Sequence, residues 1–342
     1  MEVAIEMDVN QNVLIVGSGR IGSAVNILLG QHYTVAVHDP IALPSGTQTL
    51  DEAIQLSNPG AIVCCTPAAM NFKTAQACAQ HNIAYFDLTE DIFVRDGIEQ
   101  MLLTNKVTVP FIPQCGLAPG MVNILACDLI KKTTDVHSVK IRVGAIPQVP
   151  NNKLGYDVTW SADGLINEYI HQCEVLDNHV ISKRESCEEL ECEIIDGMQF
   201  VAGLTSGGIG SMLKYLQTIG IKEANYKTLR WPGHWELIQF LKSDLQLAVH
   251  KDEFIKIFDQ SLTNNQPDMI VIKIVVQGKE RLEYEKIIFP ANSFTAIRSS
   301  TASGISAVVD SYLKGLIPLS GMVTHDQISM DMLSQSNFVN VY

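Results

Sequence analysis

The sequence predicts an α/β protein that combines a doubly wound parallel sheet with a second α/β domain whose sheet is mixed and largely antiparallel. Residues 12–112 alternate short apolar runs, typical of strands buried on both faces, with segments of helical periodicity. Further along the chain, candidate strands alternate apolar and polar residues, as strands with one solvated face do. The length of 342 residues leaves room for two domains with separate cores.

The first domain is predicted to cover residues 1–128 and to be completed by C-terminal helices in residues 305–342. Its predicted strands are the runs NVLIVG, YTVAVHD, AIVCCTP, IAYFDL and VTVPFI, which helical patterns separate. The second domain is predicted over residues 129–304. Its predicted strands lie in SVKIRVGAIP, YDVTWSADG and MIVIKIVVQGKERLEYEKIIF, with a hairpin turn at QGKE.

The composition favours a small-molecule partner. Lys and Arg total 24 against 37 Asp and Glu, and the formal net charge of −13 would repel a nucleic acid. No apolar run approaches the roughly 20 residues that span a bilayer, so we expect no membrane contact. The first residues, MEVAIEMDVN, lack the basic flank and apolar core of a signal peptide, and we expect a cytoplasmic location.

The eight cysteines are scattered through the chain without paired or evenly spaced motifs. Such a distribution favours reduced thiols over a disulfide framework, and it matches no common zinc pattern. We therefore expect no metal site.

A glycine-rich turn joins the first predicted strand to the first predicted helix. The run contains Gly17, Ser18, Gly19, Arg20, Ile21 and Gly22. In the G-x-G-x-x-G pattern the first glycine permits the tight turn, the second lets the backbone approach a pyrophosphate, and the third brings helix and strand together. The position between strand and helix favours a dinucleotide-binding site, and a structural turn without a ligand is the alternative.

Further cofactor contacts are predicted where the next strands end. Asp39 lies 22 residues beyond Gly17, where a carboxylate accepts hydrogen bonds from the adenosine ribose and repels a 2′-phosphate. This spacing predicts NAD rather than NADP. Thr66 and Pro67 follow the third strand and should line the cofactor crevice. Thr89 follows the fourth strand, as either a cofactor contact or a helix N-cap.

Five short sequence motifs, in their order along the chain, resemble the saccharopine dehydrogenase-like family. Among its members they are most similar to the lysine 6-dehydrogenases. They are VGSGRIGSA, YFDLTED, PQCGLAPGMVN, KLGYDVTWSADGLINEY and YKTLRWPGHWE, spread between Val13 and Glu236. The resemblance implies a Rossmann domain and a second domain that supports substrate binding and homodimerisation. It also implies hydride transfer between a nicotinamide and a carbon that bears nitrogen.

This chain departs from the saccharopine reductases of the family at two positions. The resemblance implies an acid where Ala118 stands and an arginine where Asp163 stands. A guanidinium suits the extra carboxylates of a glutamate-linked substrate, so its absence argues against saccharopine. An aspartate at the same place would instead attract an ammonium group.

Amine oxidation needs a base and groups that tolerate transient positive charge. Asp163 and Glu168 are the predicted partners of the substrate amine, and Asp157 would lie on the opposite face of a strand from Tyr156. Arg230 is predicted to bind the α-carboxylate, and His234 offers a group that titrates near neutral pH. As alternatives, Arg230 pairs with a protein acid and His234 is structural.

Together these features predict an NAD-dependent enzyme that deaminates a lysine-like amino acid oxidatively, as a lysine 6-dehydrogenase does. One alternative is a saccharopine- or carboxynorspermidine-type dehydrogenase that works in the reductive direction. Another is a non-catalytic NAD-binding regulator, because a fold alone does not establish activity.

Overall fold

The computed structural model describes residues 10–39, 49–262, 266–291 and 293–342. The chain divides into two compact units, called here the first unit (residues 1–124 and 301–341) and the second unit (residues 125–300 with Tyr342). The boundaries predicted from the sequence, after residues 128 and 304, lie four residues beyond these.

The elements are as follows in chain order. The strands are β1 (Asn12–Val16), β2 (Thr34–His38), β3 (Ala61–Cys64), β4 (Ala84–Asp87), β5 (Pro110–Ile112), β6 (Ser138–Pro147), β7 (Cys173–Asp177), β8 (Val180–Arg184), β9 (Glu191–Ile195), β10 (Met198–Leu204), β11 (Glu223–Arg230), β12 (Asp268–Gln277), β13 (Arg281–Ile288) and β14 (Gly321–Met322). The helices are α1 (Arg20–Leu29), α2 (Leu50–Ser57), α3 (Ala68–His81), α4 (Ile92–Thr104), α5 (Met121–Lys131), α6 (Ala162–Ile170), α7 (Met212–Thr218), α8 (His234–Ser243), α9 (Lys251–Ser261), α10 (Ala296–Leu313) and α11 (Met330–Leu333). Two short 3-10 helices span His325–Gln327 and Val339–Val341.

The described part of the first unit contains a parallel sheet in the order β14-β5-β4-β3-β1-β2. Strands β3, β4 and β5 are buried along their whole length, because both faces of the sheet are covered. The chain leaves β1 for β2 on one side and returns to β3 on the other. The order of the strands therefore reverses at β1, the topological switch point where doubly wound folds bind ligands. The predicted doubly wound sheet is confirmed.

The second unit contains a mixed sheet with the order β13-β12-β6-β11-β10-β9, and β7 and β8 extend it from β11. Strands β6 and β11 are parallel, whereas the other pairs are antiparallel. An apolar core that includes Tyr156, Trp235 and Met269 joins the sheet to helices α6, α8 and α9. The prediction of a second α/β domain with a mixed, largely antiparallel sheet is confirmed.

Two segments differ from the sequence predictions. Residues 156–160 form an irregular segment rather than a strand. Tyr156 and Asp157 are both buried there, so their side chains do not alternate between a buried and a solvated face. The C-terminal segment is not helical throughout, since β14 adds an edge strand parallel to β5. A two-residue strand is too short to produce a periodic pattern, and Gly315, with φ +72°, ends the preceding helical stretch.

No helix in the described parts of the chain is both long and apolar enough to cross a membrane. All eight cysteines lie in described segments and are free thiols.

The side chain of Asp310 connects three parts of the first unit. It is fully buried on α10 and accepts hydrogen bonds from the Tyr33 hydroxyl, from Lys314 Nζ at 3.0 Å and from the Asn337 backbone N–H at 3.0 Å. Burial raises the pKa of this carboxyl, but its hydrogen bonds, that from Tyr33 foremost, outweigh burial and hold the pKa below its usual range. The ionised form therefore stabilises the folded state.

We expect Asp310→Asn to lower the free energy of unfolding by about 2 kcal/mol at pH 7, because hydrogen bonds to a buried charge are lost. A carboxyl whose pKa is lowered on folding stabilises the protein above its unfolded pKa, and that stabilisation is lost as the pH falls through the folded pKa. The difference between the two proteins should therefore shrink in acid. Denaturant titrations from pH 7 down to pH 4 would measure it.

Asp259→Asn is the matched control, because Asp259 is exposed on α9 and its replacement should change stability little. Equal stability of the Asp310→Asn variant and the unmodified protein at pH 7 would contradict the prediction.

Candidate functional site

The glycine-rich turn has the geometry that its sequence predicts. Gly17 has φ +98°, and a Cβ there would lie 2.9 Å from the carbonyl oxygen of Cys65. A Cβ on Gly22 would lie 2.0 Å from the carbonyl oxygen of Gly17, so any side chain would separate helix from turn. At Gly19, by contrast, a Cβ would meet no described atom within 4 Å. The turn is thus closed on the protein side and open above Gly19.

Helix α1 presents its amino-terminal end at this turn. Gly19 is the N-cap residue and provides no side-chain hydrogen bond to the first turn of the helix. The first backbone N–H groups of any helix have no carbonyl partner within the helix itself. Together with the helix dipole they suit a pyrophosphate, and the residues present fit the phosphate portion of a dinucleotide.

Asp39 directly follows β2 and is hydrogen-bonded to the glycine-rich turn. Its Oδ2 accepts hydrogen bonds from the Ser18 backbone N–H at 2.7 Å and from the Ser18 hydroxyl at 2.5 Å. These bonds hold the carboxylate beside the glycine-rich turn. A negative charge there suits ribose hydroxyls and opposes a 2′-phosphate.

The residues predicted after β3 and β4 occupy the carboxyl edge of the same sheet. Thr66 is half-buried, with its Oγ1 3.1 Å from Cys64 Sγ, and Pro67 is the N-cap residue of α3. Thr89 is buried, and its hydroxyl accepts a hydrogen bond from the Asp91 backbone N–H at 3.2 Å. The N-cap of α4 is Asp91 rather than Thr89, so capping of this helix does not explain Thr89.

A buried carboxylate fixes this edge. Asp87 is fully buried, and its Oδ1 accepts hydrogen bonds from the backbone N–H groups of Thr89 at 3.0 Å and Gln114 at 2.9 Å. Its Oδ2 accepts the Tyr85 hydroxyl proton at 2.7 Å. One side chain therefore sets the backbone that follows both β4 and β5.

In the second unit, a guanidinium lies at the centre of a cluster of buried polar side chains. Arg230 ends β11 with a side chain that is 2% exposed, and its Nη2 lies 3.6 Å from Glu168 Oε2. Its Nε donates to the Tyr169 hydroxyl at 3.1 Å and its Nη1 to the Leu229 carbonyl at 3.2 Å. The Tyr156 ring lies against it, with the guanidinium carbon 4.7 Å from the ring centre.

Glu168 has the properties of an acid–base group. Its side chain is 15% exposed, and Oε2 is buried without a hydrogen-bond partner among the described residues. Burial raises the pKa of Glu168, Arg230 lowers it, and the balance leaves the pKa at about 7. Such a carboxyl changes its protonation near neutral pH.

His234 begins α8 and is held by two hydrogen bonds. Its Nδ1 lies 2.8 Å from the Leu154 carbonyl oxygen, and its Nε2 lies 3.0 Å from the Tyr169 hydroxyl. Burial, followed by the charge of Arg230, lowers the pKa of His234 to about 3. The expectation that this histidine titrates near neutral pH is therefore corrected: at neutral pH it is an uncharged part of the cluster.

Two other predicted carboxylates lie outside this set of contacts. Asp163 is 56% exposed near the start of α6 and forms an ion pair with Lys251, whose Nζ is 2.6 Å away. It is separated from Glu168 by more than one turn of the same helix and contacts a different partner. Asp157 is buried and accepts a hydrogen bond from Asn152 at 3.2 Å.

The sequence predicts Glu168, Arg230 and His234 as site residues but does not point to the two tyrosines that connect them. Tyr169 follows Glu168 directly, and Tyr156 belongs to the loop before α6. The aromatic residues within GYDVTW and NEYI were the available signal, but their contacts depend on chain segments more than 60 residues apart. No group of three metal-ligating side chains that could hold a metal ion occurs in the described ranges.

The chain is similar in structure to the apo form of a saccharopine dehydrogenase (L-Glu forming) from Saccharomyces cerevisiae. That match has a TM-score of 0.72 and 16% sequence identity, and it covers 95% of each chain. A DAP dehydrogenase of C. glutamicum in complex with DAP matches with a TM-score of 0.47 and 12% identity, over 96% of this chain and 97% of that one. An aspartate dehydrogenase from Thermotoga maritima matches with a TM-score of 0.41 and 13% identity, over 88% and 95%.

The family model for the saccharopine dehydrogenase C-terminal domain matches residues 116–336. This range is more than half of the 342 residues, and it contains Glu168, Tyr169, Arg230 and His234. The structural match at 16% identity shows that the fold is shared across both units. The chain therefore belongs to the saccharopine dehydrogenase-like family.

Proposed function

We propose that the protein is an amino-acid oxidoreductase that uses NAD to deaminate a lysine-like diamino acid, with Glu168 as its proton acceptor. The observation that carries this proposal is the buried Oε2 of Glu168, which has no hydrogen-bond partner among the described residues although Arg230 is 3.6 Å away. Such an oxygen is available to a donor on a substrate. Membership of the family supports the reaction class.

Deamination requires that the substrate nitrogen first lose a proton. A lysine side chain has a pKa of about 10.4 and is an ammonium at neutral pH, whereas hydride can leave only from the neutral amine's carbon. A bound nicotinamide supplies the hydride acceptor. The iminium ion that remains on the substrate adds water to give an aldehyde and ammonium, so the overall reaction releases only the proton that the substrate ammonium first lost, and Glu168 accepts it.

Arg230 supports this role by supplying a fixed positive charge beside Glu168. Its Nε and Nη1 already donate within the protein, which leaves Nη2 as the nitrogen directed at the carboxyl. A substrate α-carboxylate, the alternative partner of Arg230, would compete with Glu168 for Nη2 or bind the second N–H of Nη1. The charge of Arg230 stabilises the carboxylate, which makes the base available near neutral pH.

The cofactor proposal rests on the first unit. The open space above Gly19, the uncapped start of α1 and the carboxylate of Asp39 fit a dinucleotide whose ribose carries no phosphate. Thr66, Pro67 and Thr89 are proposed to contact it from the carboxyl ends of β3 and β4.

We expect Glu168→Gln to lower kcat by about 10²- to 10⁴-fold, because general base catalysis by a side chain contributes about that much. NADH absorbance at alkaline pH would report turnover with lysine, ornithine, saccharopine or glutamate, with NADP run in parallel. Glu253→Gln is the matched control, since Glu253 is exposed on α9, and it should retain most of the activity. A loss in Asp163→Asn without a loss in Glu168→Gln would favour the assignment of the amine to Asp163.

We expect kcat/KM to rise as the pH increases through about 7, because only the deprotonated Glu168 accepts a proton. Because the pKa of Glu168 is raised, this ascending limb of the pH profile occurs at a higher pH than an ordinary glutamate would give. A pH series with a saturating dinucleotide would measure the limb, and the limb should vanish in Glu168→Gln. A profile without a transition between pH 5 and 9 would rule out this carboxyl as the base.

We expect Asp39→Ser to raise the Kd for NAD by at least about tenfold, since hydrogen bonds to a charged group are lost, and to improve binding of NADP. Fluorescence titration with both reduced cofactors would measure the two constants. Asp51→Ser, at an exposed acid on α2, is the matched control. Unchanged discrimination between the two cofactors would remove Asp39 from cofactor recognition.

The same assays separate the alternatives. NADH consumption in the presence of an aldehyde and an amine, without oxidation of any diamino acid, would favour a saccharopine- or carboxynorspermidine-type reductase. Binding of NADH, seen as a thermal shift, without turnover in either direction would favour a regulator.

A further inference from the structure

The hydrogen bonds around His234 determine where each proton in the buried cluster lies. The Leu154 carbonyl can only accept, so His234 Nδ1 carries the proton of that 2.8 Å bond. The ring is buried near the positive charge of Arg230 and is therefore neutral, which leaves Nε2 as an acceptor. The Tyr169 hydroxyl, 3.0 Å away, must then donate its one proton to Nε2.

This arrangement leaves the oxygen of Tyr169 as an acceptor for Arg230. A guanidinium only donates, and its Nε donates to the Tyr169 hydroxyl at 3.1 Å. A second bond from Nη1 to the Leu229 carbonyl and the ring of Tyr156 also restrain the guanidinium. The protonation state of His234 is thus linked, through Tyr169, to the position of Arg230.

The position that results leaves the ion pair incomplete. Arg230 Nη2 lies 3.6 Å from Glu168 Oε2, beyond the 2.7–2.9 Å of a charge-assisted hydrogen bond. Arg230 and the Oε2 atom of Glu168 are buried and carry opposite charges when Glu168 is ionised, so a shorter contact would be favourable if nothing restrained the guanidinium. The bond from Nε to Tyr169 is such a restraint.

We propose that His234 and Tyr169 are positioning residues that hold Arg230 short of Glu168, so that the carboxyl stays available to the substrate amine. This inference rests on the proposed role of Glu168 as proton acceptor. A guanidinium that closed on Oε2 would occupy the lone pair that the substrate needs, and it would make the carboxylate a weaker base.

Other groups near Glu168 do not compete for this role. Tyr169 lies in the last turn of α6, and Tyr156 lies in the loop before that helix. Burial raises the pKa of each phenol, so both stay protonated. Cys173 on β7 and Cys187 near β10 also interact with Glu168, and burial raises the pKa of both thiols to about 12. At neutral pH these four groups are uncharged, and Arg230 supplies the charge that acts on Glu168.

The test is a titration of Glu168 itself, without substrate or cofactor. The infrared band of a protonated carboxyl, taken as the difference between the protein and its Glu168→Gln variant, reports the midpoint directly. In Tyr169→Phe the Nε of Arg230 loses its acceptor, and the guanidinium is freed to move toward Glu168 Oε2, a buried acceptor without a hydrogen-bond partner that lies 3.6 Å from Nη2. We expect the midpoint to fall by about one to three pH units, the usual effect of a closely paired arginine.

A midpoint in Tyr169→Phe that is unchanged or higher than in the unmodified protein would overturn the proposal. Tyr312→Phe, which removes a buried phenol from α10 in the first unit, is the matched control and should leave the midpoint unchanged. The titration uses no turnover, so an unmodified protein that oxidises no amino acid would defeat the proposed function and still leave this result interpretable.

A second pair of variants carries the test if Tyr169→Phe does not fold. His234→Gln places an amide oxygen where Nε2 was and keeps an acceptor for the Tyr169 hydroxyl, so the midpoint should stay near that of the unmodified protein. His234→Asn keeps the donor to Leu154 but is too short to reach Tyr169. Its midpoint should fall, because the released hydroxyl and guanidinium can then bond to Glu168, and equal midpoints in the two variants would overturn the proposal.

Discussion

The burial of the Arg230 guanidinium is the constraint on which the chemistry of the second unit depends. A cation with a side chain that is 2% exposed loses its hydration, and it must recover that loss from protein partners. Its partners include the Tyr169 hydroxyl, the Leu229 carbonyl and the Tyr156 ring. Burial is the main cause of the lowered pKa of His234 and of the raised pKa of Glu168. The charge of Arg230 lowers the pKa of His234 further and offsets part of the rise at Glu168.

In the first unit, the groups proposed to bind the cofactor phosphates belong to the backbone rather than to side chains. The turn from Gly17 to Gly22 offers amide hydrogens and the end of a helix dipole, and backbone contacts leave no room for a side chain at Gly17 or Gly22. Asp87 supports the neighbouring strand ends by accepting hydrogen bonds from Thr89 and Gln114. Asp87 and the local turns therefore shape this edge, and His325, whose ring Nε2 lies 2.8 Å from the Gln114 carbonyl oxygen, adds a contact from far along the chain.

More of the candidate site could be predicted from the sequence in the first unit than in the second. The fold class, the glycine-rich turn and Asp39 follow from local patterns, because strand length, glycine geometry and spacing are written in consecutive residues. The cluster around Arg230 is assembled from three separate segments, and nothing in the order of residues reveals that Tyr169 bonds to both Arg230 and His234. Asp163 and Glu168 are close in sequence, which predicts a shared site. On helix α6, however, Asp163 pairs with Lys251 and Glu168 lies beside Arg230.

The first unit is discontinuous in sequence, and this has a consequence for how the protein is made. Its sheet receives β14 from residues that follow the whole second unit, and Asp310 of α10 bonds to Tyr33 near the start of the chain. During synthesis, β1 to β5 leave the ribosome long before their last partner exists, so β5 remains an open edge for that interval. Pairings so distant in sequence form slowly, and the nascent first unit must avoid joining its exposed edge to another chain until β14 and the residues beyond it arrive.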